Sequence, residues 1–147
     1  MHTTFALVWV LAAGWPPPQD GVEPVKFAVV VAAANPWQGD ATQARALVKR
    51  LFLKQQLDWP SGKEARVYAR PAGSDAMQAF VKRVLDMSPA ELARHWLQMK
   101  NREGATPPRE VASVRLLGKH FDKQPDAIAI MTVAEAKAAG LRVLLEF

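Results

Sequence analysis

The amino-acid sequence predicts an α/β domain, a mixed sheet with helices packed on it. Three observations point there. Val25–Ala34 carries the run KFAVVVAAA, continuous and β-branched in its middle, which marks a strand buried on both faces. Segments of strand character alternate along the chain with segments whose apolar residues recur at helical spacing, the order that builds a helix-covered sheet. No internal repeat or low-complexity stretch interrupts that alternation. With 147 residues, half of them hydrophobic, the chain can bury one core and form a single domain.

The first strand, Val25–Ala34, stops at Asn35-Pro36 and is expected centrally in the sheet. Ala41–Leu53 follows as a helix, with Ala44, Leu47, Val48, Leu51 and Phe52 on one face and Asp40 at its cap. Leu57–Gly62 is a loop by its proline and glycine. Glu64–Ala69 is a second strand, in which Ala65, Val67 and Ala69 alternate with Arg66 and Tyr68. The next helix runs to Leu85, burying Met77, Phe80, Val81, Val84 and Leu85 while Lys82 and Arg83 face water. Ser88-Pro89-Ala90-Glu91 opens another, with a serine cap, proline at the first helical position and glutamate closing a capping box. Leu92, Trp96 and Met99 share a face of it. After the break at Gly104–Pro108 a helical pattern resumes through Val111, Val114, Leu117 and Phe121 and ends at Gln124-Pro125-Asp126. Ala127–Met131 is a short strand, Thr132 to Glu135 a second capping box whose helix closes at Gly140, and Leu141–Phe147 the last strand. The predicted order is β-α-β-α-α-α-β-α-β.

Charge and composition narrow the function. The net charge of +5 is spread over Lys49-Arg50, Lys82-Arg83, Lys100–Arg102 and Lys119–Lys123, mixed with acids and free of any arginine-rich tract, so no nucleic-acid partner is expected. The absence of cysteine excludes disulfides, thiolate zinc and a thiol nucleophile. No Walker loop, dinucleotide glycine pattern, acid dyad or zinc signature is present, so the expectation is a protein without cofactor or enzymatic activity. Residues 1–23 read as a signal peptide and linker. Phe5–Ala13 is apolar but too short to span a bilayer, Leu11–Gly14 offers small residues for cleavage, and Trp15-Pro16-Pro17-Pro18 breaks the segment. The predicted location is therefore periplasmic or otherwise exported, with residues 24–147 as the domain and no membrane span in the mature chain. A hydrophobic N-terminal strand or tail packed on the domain is the alternative.

The stretch most like a ligand site is VYARPAGSDAMQAF, Val67–Phe80. A strand ends at Arg70, Pro71-Ala72-Gly73 turns, and a helix begins with Ser74 and Asp75 in its first turn. A guanidinium facing a glycine-opened helix start holds oxyanions, because unpaired amides and the macrodipole favour negative charge there and arginine adds a planar donor fork. The competing reading is structural, with Asp75 and Gln78 forming a capping box that occupies those amides itself.

The spacing resembles the Arg-x-x-x-Ser-Gly-Thr clamp of phosphate-binding proteins from ABC phosphate importers. Arg70 and Ser74 match, whereas Asp75 and Ala76 stand at the glycine and threonine positions. Further landmarks follow in the family's order: Phe52-Leu53-Lys54, Asp58 to Gly62, Val84 to Pro89, His95-Trp96, Thr106-Pro107-Pro108 and Pro125 to Ala129. In the last of these Ala129 and Ile130 replace the family's glycine and tyrosine. From about Val25 to its end the chain is thus similar to short phosphate-importer-type substrate-binding proteins. The resemblance implies the type II periplasmic binding protein fold, whose full-length members close two α/β lobes on a ligand. This chain has room for one lobe, so either an anion binds on an open surface, or a second subunit completes the site, or binding has been lost.

Other residues carry weaker signals. His95 lies one turn after Glu91, but no third metal ligand is evident. His120, late in its helix, complements the carbonyl end. Trp96 is expected in the core, while Trp37, in the polar loop Asn35–Gly39, fits a core or a pocket wall equally. If that loop and the Arg70 turn share one sheet edge, the site comprises Arg70, Gly73, Ser74, Asn35 and Gln38. The expected function is a non-enzymatic, substrate-binding-like protein of the cell envelope that takes inorganic phosphate or another oxyanion. The alternative is an envelope interaction or signalling module that has lost anion binding and docks a protein partner.

Overall fold

A computed structural model describes residues 25–147, so the segment read as signal peptide and linker lies outside the described residues. Its elements are β1 (Phe27–Val31), α1 (Ala41–Phe52), β2 (Arg66–Ala69), α2 (Asp75–Phe80), α3 (Pro89–Glu103), β3 (Arg109–Glu110), α4 (Val114–Lys123), β4 (Ala127–Thr132), α5 (Val133–Ala138) and β5 (Arg142–Glu146). A π-helical turn, Val81–Leu85, continues α2 and ends at Asp86 in the left-handed conformation. The sheet is mixed, in the order β3-β2-β4-β1-β5. β1 runs antiparallel to β4 and β5, whereas β2 runs parallel to β3 and β4.

Both faces of the sheet are covered, which is why β1 and β4 read as unbroken apolar runs. On one face Val29, Val31, Ile128 and Ile130 pack with Leu47, Leu51 and Phe52 of α1 and with Phe80, Val84 and Leu85. On the other, Ala28, Val30, Ala129 and Met131 pack with Leu117 and Phe121 of α4 and Ala136 of α5. The result is three layers. Four rings run through the first core in series: Phe27 lies 6.0 Å from Phe147, Phe147 5.6 Å from Phe80, and Phe80 4.6 Å from Phe52.

The caps follow the sequence closely. Asp40 and Gln43, Ser88 and Glu91, and Thr132 and Glu135 each form reciprocal capping boxes. Gly104, φ 64°, ends α3 in a conformation that an L side chain resists. One helix start differs from expectation. Val111 is not helical; its amide donates to the Ala69 carbonyl at 2.8 Å, extending the pairing of β2 with β3, and Ser113 caps α4 after it. The two-residue β3 was invisible in the sequence because Arg109 and Glu110 are exposed and show no apolar alternation.

Candidate functional site

Arg70 follows the last residue of β2 and leads into the turn that starts α2. Ser74 N–H donates to the Pro71 carbonyl at 2.9 Å, and the Ser74 hydroxyl donates to the same oxygen at 2.6 Å. This closed turn sets Ser74 in extended geometry (ψ 148°), so that its Oγ accepts from Met77 N–H at 3.3 Å and caps the helix. The expected Asp75–Gln78 box therefore does not form. Asp75 is already the first helical residue, exposed, and the Gln78 amide reaches back to the Gly73 carbonyl at 3.5 Å. A methyl group built on Gly73 would meet nothing within 4 Å, so the turn opens outward.

The guanidinium of Arg70 is the anomaly here. Its Nε and Nη1 are buried and have no hydrogen-bond partner among the described residues. Buried donors of a charged group are normally satisfied, and leaving them unpaired costs more than for neutral groups.

The structure does not bring Asn35 and Gln38 to this turn. Val31, Ile128 and Val67 lie level across the sheet; from that row β2 runs on to Arg70 along the direction of β4, while antiparallel β1 runs the opposite way to Asn35. The two loops thus sit at opposite ends of the strands. The reason is the hand of pairing, which apolar runs alone do not encode. Asn35 and Gln38 belong to a separate, tightly built loop. Asn35 Oδ1 accepts from Trp37 N–H at 2.9 Å, and Arg142 Nη2 donates to the carbonyls of Asn35 (2.8 Å) and Trp37 (2.7 Å). Arg142 was not legible as a loop clamp, since its sequence neighbours mark only a strand. Gln38 points its chemistry to solvent, being exposed. Asn35, 6% exposed, keeps an unpaired Nδ2 beside a cavity of about 300 Å³ that Trp37, Trp59 and Asp126 also line.

Gly39 permits the loop's shape. A Cβ there would fall 2.5 Å from Trp37 Cη2 and 2.8 Å from Gln43 Oε1. Gly39→Ala should therefore displace both the indole and the capping glutamine, lowering stability by about 1–3 kcal/mol in chemical denaturation. A Trp37→Phe background should recover part of the loss.

Other expectations resolve individually. Trp59 is core, 3% exposed, with Nε1–H donating to the Asp126 carbonyl at 2.9 Å. Trp96 is not core; it is half-buried along an apolar groove between α2 and α3. His95 Nε2 lies 2.9 Å from the Leu53 carbonyl, and His120 stacks on Tyr68 with ring centroids 4.5 Å apart. Among the described residues no three His, Asp or Glu side chains gather to hold a metal ion. Among them, too, no helix is long and apolar enough to cross a membrane.

No family model and no curated protein matches the chain. Solved structures do. An ABC-type phosphate transport receptor from Vibrio cholerae superposes with a TM-score of 0.55 at 14% identity, over 81% of this chain and 46% of the receptor. A putative phosphate ABC transporter substrate-binding protein with bound phosphate, from Clostridium perfringens, gives 0.59 at 12% identity, over 81% and 44%. PstS from Borrelia burgdorferi gives 0.57 at 11% identity, over 82% and 47%. The chain spans less than half the length of each. At such identities the likeness is one of fold: a single α/β domain built like one lobe of a periplasmic binding protein.

Proposed function

We propose that this chain is a non-enzymatic, substrate-binding-like protein of the cell envelope that takes phosphate or a similar oxyanion at the Arg70–Gly73–Ser74 turn. The observation that carries the proposal is the half-buried Arg70, whose Nε and Nη1 find no partner within the described protein. An oxyanion accepts from such a fork and from the Asp75 and Ala76 amides, which lie in the first helical turn and so lack intrahelical acceptors. Ser74 contributes by shaping the turn, because its hydroxyl is engaged with Pro71 and Met77. The fold shared with phosphate-type binding proteins supports the same reading, as does an apolar N-terminal segment suited to export. Asn35 and Gln38 play no part in this site.

Calorimetric titration of the protein with phosphate and sulfate tests the proposal. Saturable heat with a rise in melting temperature is expected; neither heat nor shift at millimolar anion would remove it. Asp75 favours a second reading. Its exposed carboxylate, one residue from Ser74, repels an incoming anion, as suits an envelope module that docks a protein. Partner capture unaffected by Arg70→Ala distinguishes that module.

A further inference from the structure

At the end of the strands away from the Arg70 turn, the loop after β1 borders a cavity that an anion at that turn leaves unused. Its volume of about 300 Å³ stands at the small end of the range for small-molecule sites, enough for one ring and not for an extended chain. Buried Asn35 and Trp59, half-buried Trp37 and Asp126, and exposed Pro36 and Pro60 line it, so it reaches from the interior to the surface. Two polar groups there have opposite needs. The Asn35 carboxamide cannot turn, because its Oδ1 accepts from Trp37 N–H at 2.9 Å while Arg142 clamps the Asn35 and Trp37 carbonyls. Its Nδ2 is thereby fixed as a buried donor with no acceptor among the described residues, a state that folded proteins seldom leave uncompensated. Asp126 offers the reverse. Its carbonyl already accepts from Trp59 Nε1–H at 2.9 Å and from Arg66 N–H at 3.2 Å. The carboxylate, which enters no ion pair among the described residues, is therefore the acceptor that Asp126 has left for the cavity. An inorganic anion is repelled by that carboxylate, and a cation or a hydrocarbon leaves Nδ2 unpaired. A zwitterion would rest its own carboxylate on a single neutral amide, too little to replace its hydration. A hydroxyl both accepts and donates, so two on adjacent carbons meet both needs at once, while the C–H face of a saturated ring suits the Trp37 indole and the prolines.

From this juxtaposition of a fixed amide donor, a carboxylate acceptor and an indole we infer that the cavity takes one pyranose ring of a neutral sugar, its vicinal hydroxyls shared between Asn35 Nδ2 and Asp126. The site is independent of the Arg70 turn, so either can fail alone. Glucose, galactose and mannose, titrated separately into the isotope-labelled full chain with the Asn35 side-chain amide and the tryptophan indole N–H resonances as readouts, test it. At least one hexose should move the Asn35 amide saturably at about millimolar concentration, the strength that one small ring supports. Tetrahydropyran, the same ring without hydroxyls, and glycine should bind at least about tenfold more weakly, and inorganic phosphate should leave the Asn35 amide unmoved. Asp126→Ala, at a half-buried position whose backbone contacts it keeps, should weaken the hexose by about tenfold. Asn35→Asp keeps the acceptor for Trp37 N–H and deletes the donor, so it should abolish binding; if that variant does not fold, Asp126→Ala decides alone. The methyl glycoside of the same hexose separates two sources, equal affinity pointing to the end of a glycan and lost affinity to the free sugar, and either supports a pyranose site. Silence from all three hexoses, tetrahydropyran or glycine binding as tightly as the hexose, or wild-type affinity in folded Asp126→Ala would overturn the inference.

Discussion

Replacing Phe80 with alanine should destabilise the protein by about 3–5 kcal/mol, the largest effect expected of any single substitution considered for this chain. Phe80 is wholly buried, closes α2 where the helix widens into its π-helical turn, and stands between the rings of Phe52 and Phe147. Its removal leaves a cavity where α1, α2 and the Phe147 ring meet, which the surrounding packing relaxes into only in part. Urea unfolding measures the loss directly. In calorimetry it should appear as a fall of roughly 10–20 °C in melting temperature for a domain of this size. A loss under about 1 kcal/mol would mean that the ring series contributes little to cohesion.

Arg70 should give two responses of opposite sign. For anion binding, Arg70→Ala is expected to weaken phosphate by about 1.5–3 kcal/mol, between tenfold and somewhat over a hundredfold in Kd, the scale of a charge-assisted hydrogen bond. For stability without anion, Arg70→Met keeps the apolar stem and deletes donors that have no partner, so unfolding free energy should stay level or rise by about 1 kcal/mol. A structural arginine behaves otherwise. If Arg70→Met lowered stability and left calorimetric heats unchanged, the guanidinium would be holding the fold and the proposed site would be lost.

The contrast between these positions reflects what local sequence encodes. Phe80 was legible because helical spacing with Met77, Val81 and Val84 marks a buried face irrespective of what covers it. The capping boxes at Ser88 and Thr132 were legible for the same reason, being complete within four residues. The assembly of the site was not. Whether Asn35 lies beside Arg70 depends on the antiparallel sense of β1 against β4, a relation between segments some hundred positions apart. Trp96 misled in a related way: its amphipathic face matches a core helix, yet α3 presents that face to a groove rather than to packed side chains. The Ser74 cap was settled by the Pro71 turn, whose hydrogen bonds shift the helix start one residue ahead of the Asp75 that resembled a cap.

The interior place of β1, one strand in from the β5 edge rather than at the centre that β4 takes, bears on how the molecule comes together. Its two neighbours are drawn from the far end of the chain: Phe27 faces Thr132 in one pair, and Ala28 faces Glu146 in the other. A strand made early must therefore wait, unpaired and apolar, while roughly a hundred further residues are made. Helices with local caps can form in the meantime, but the sheet closes last.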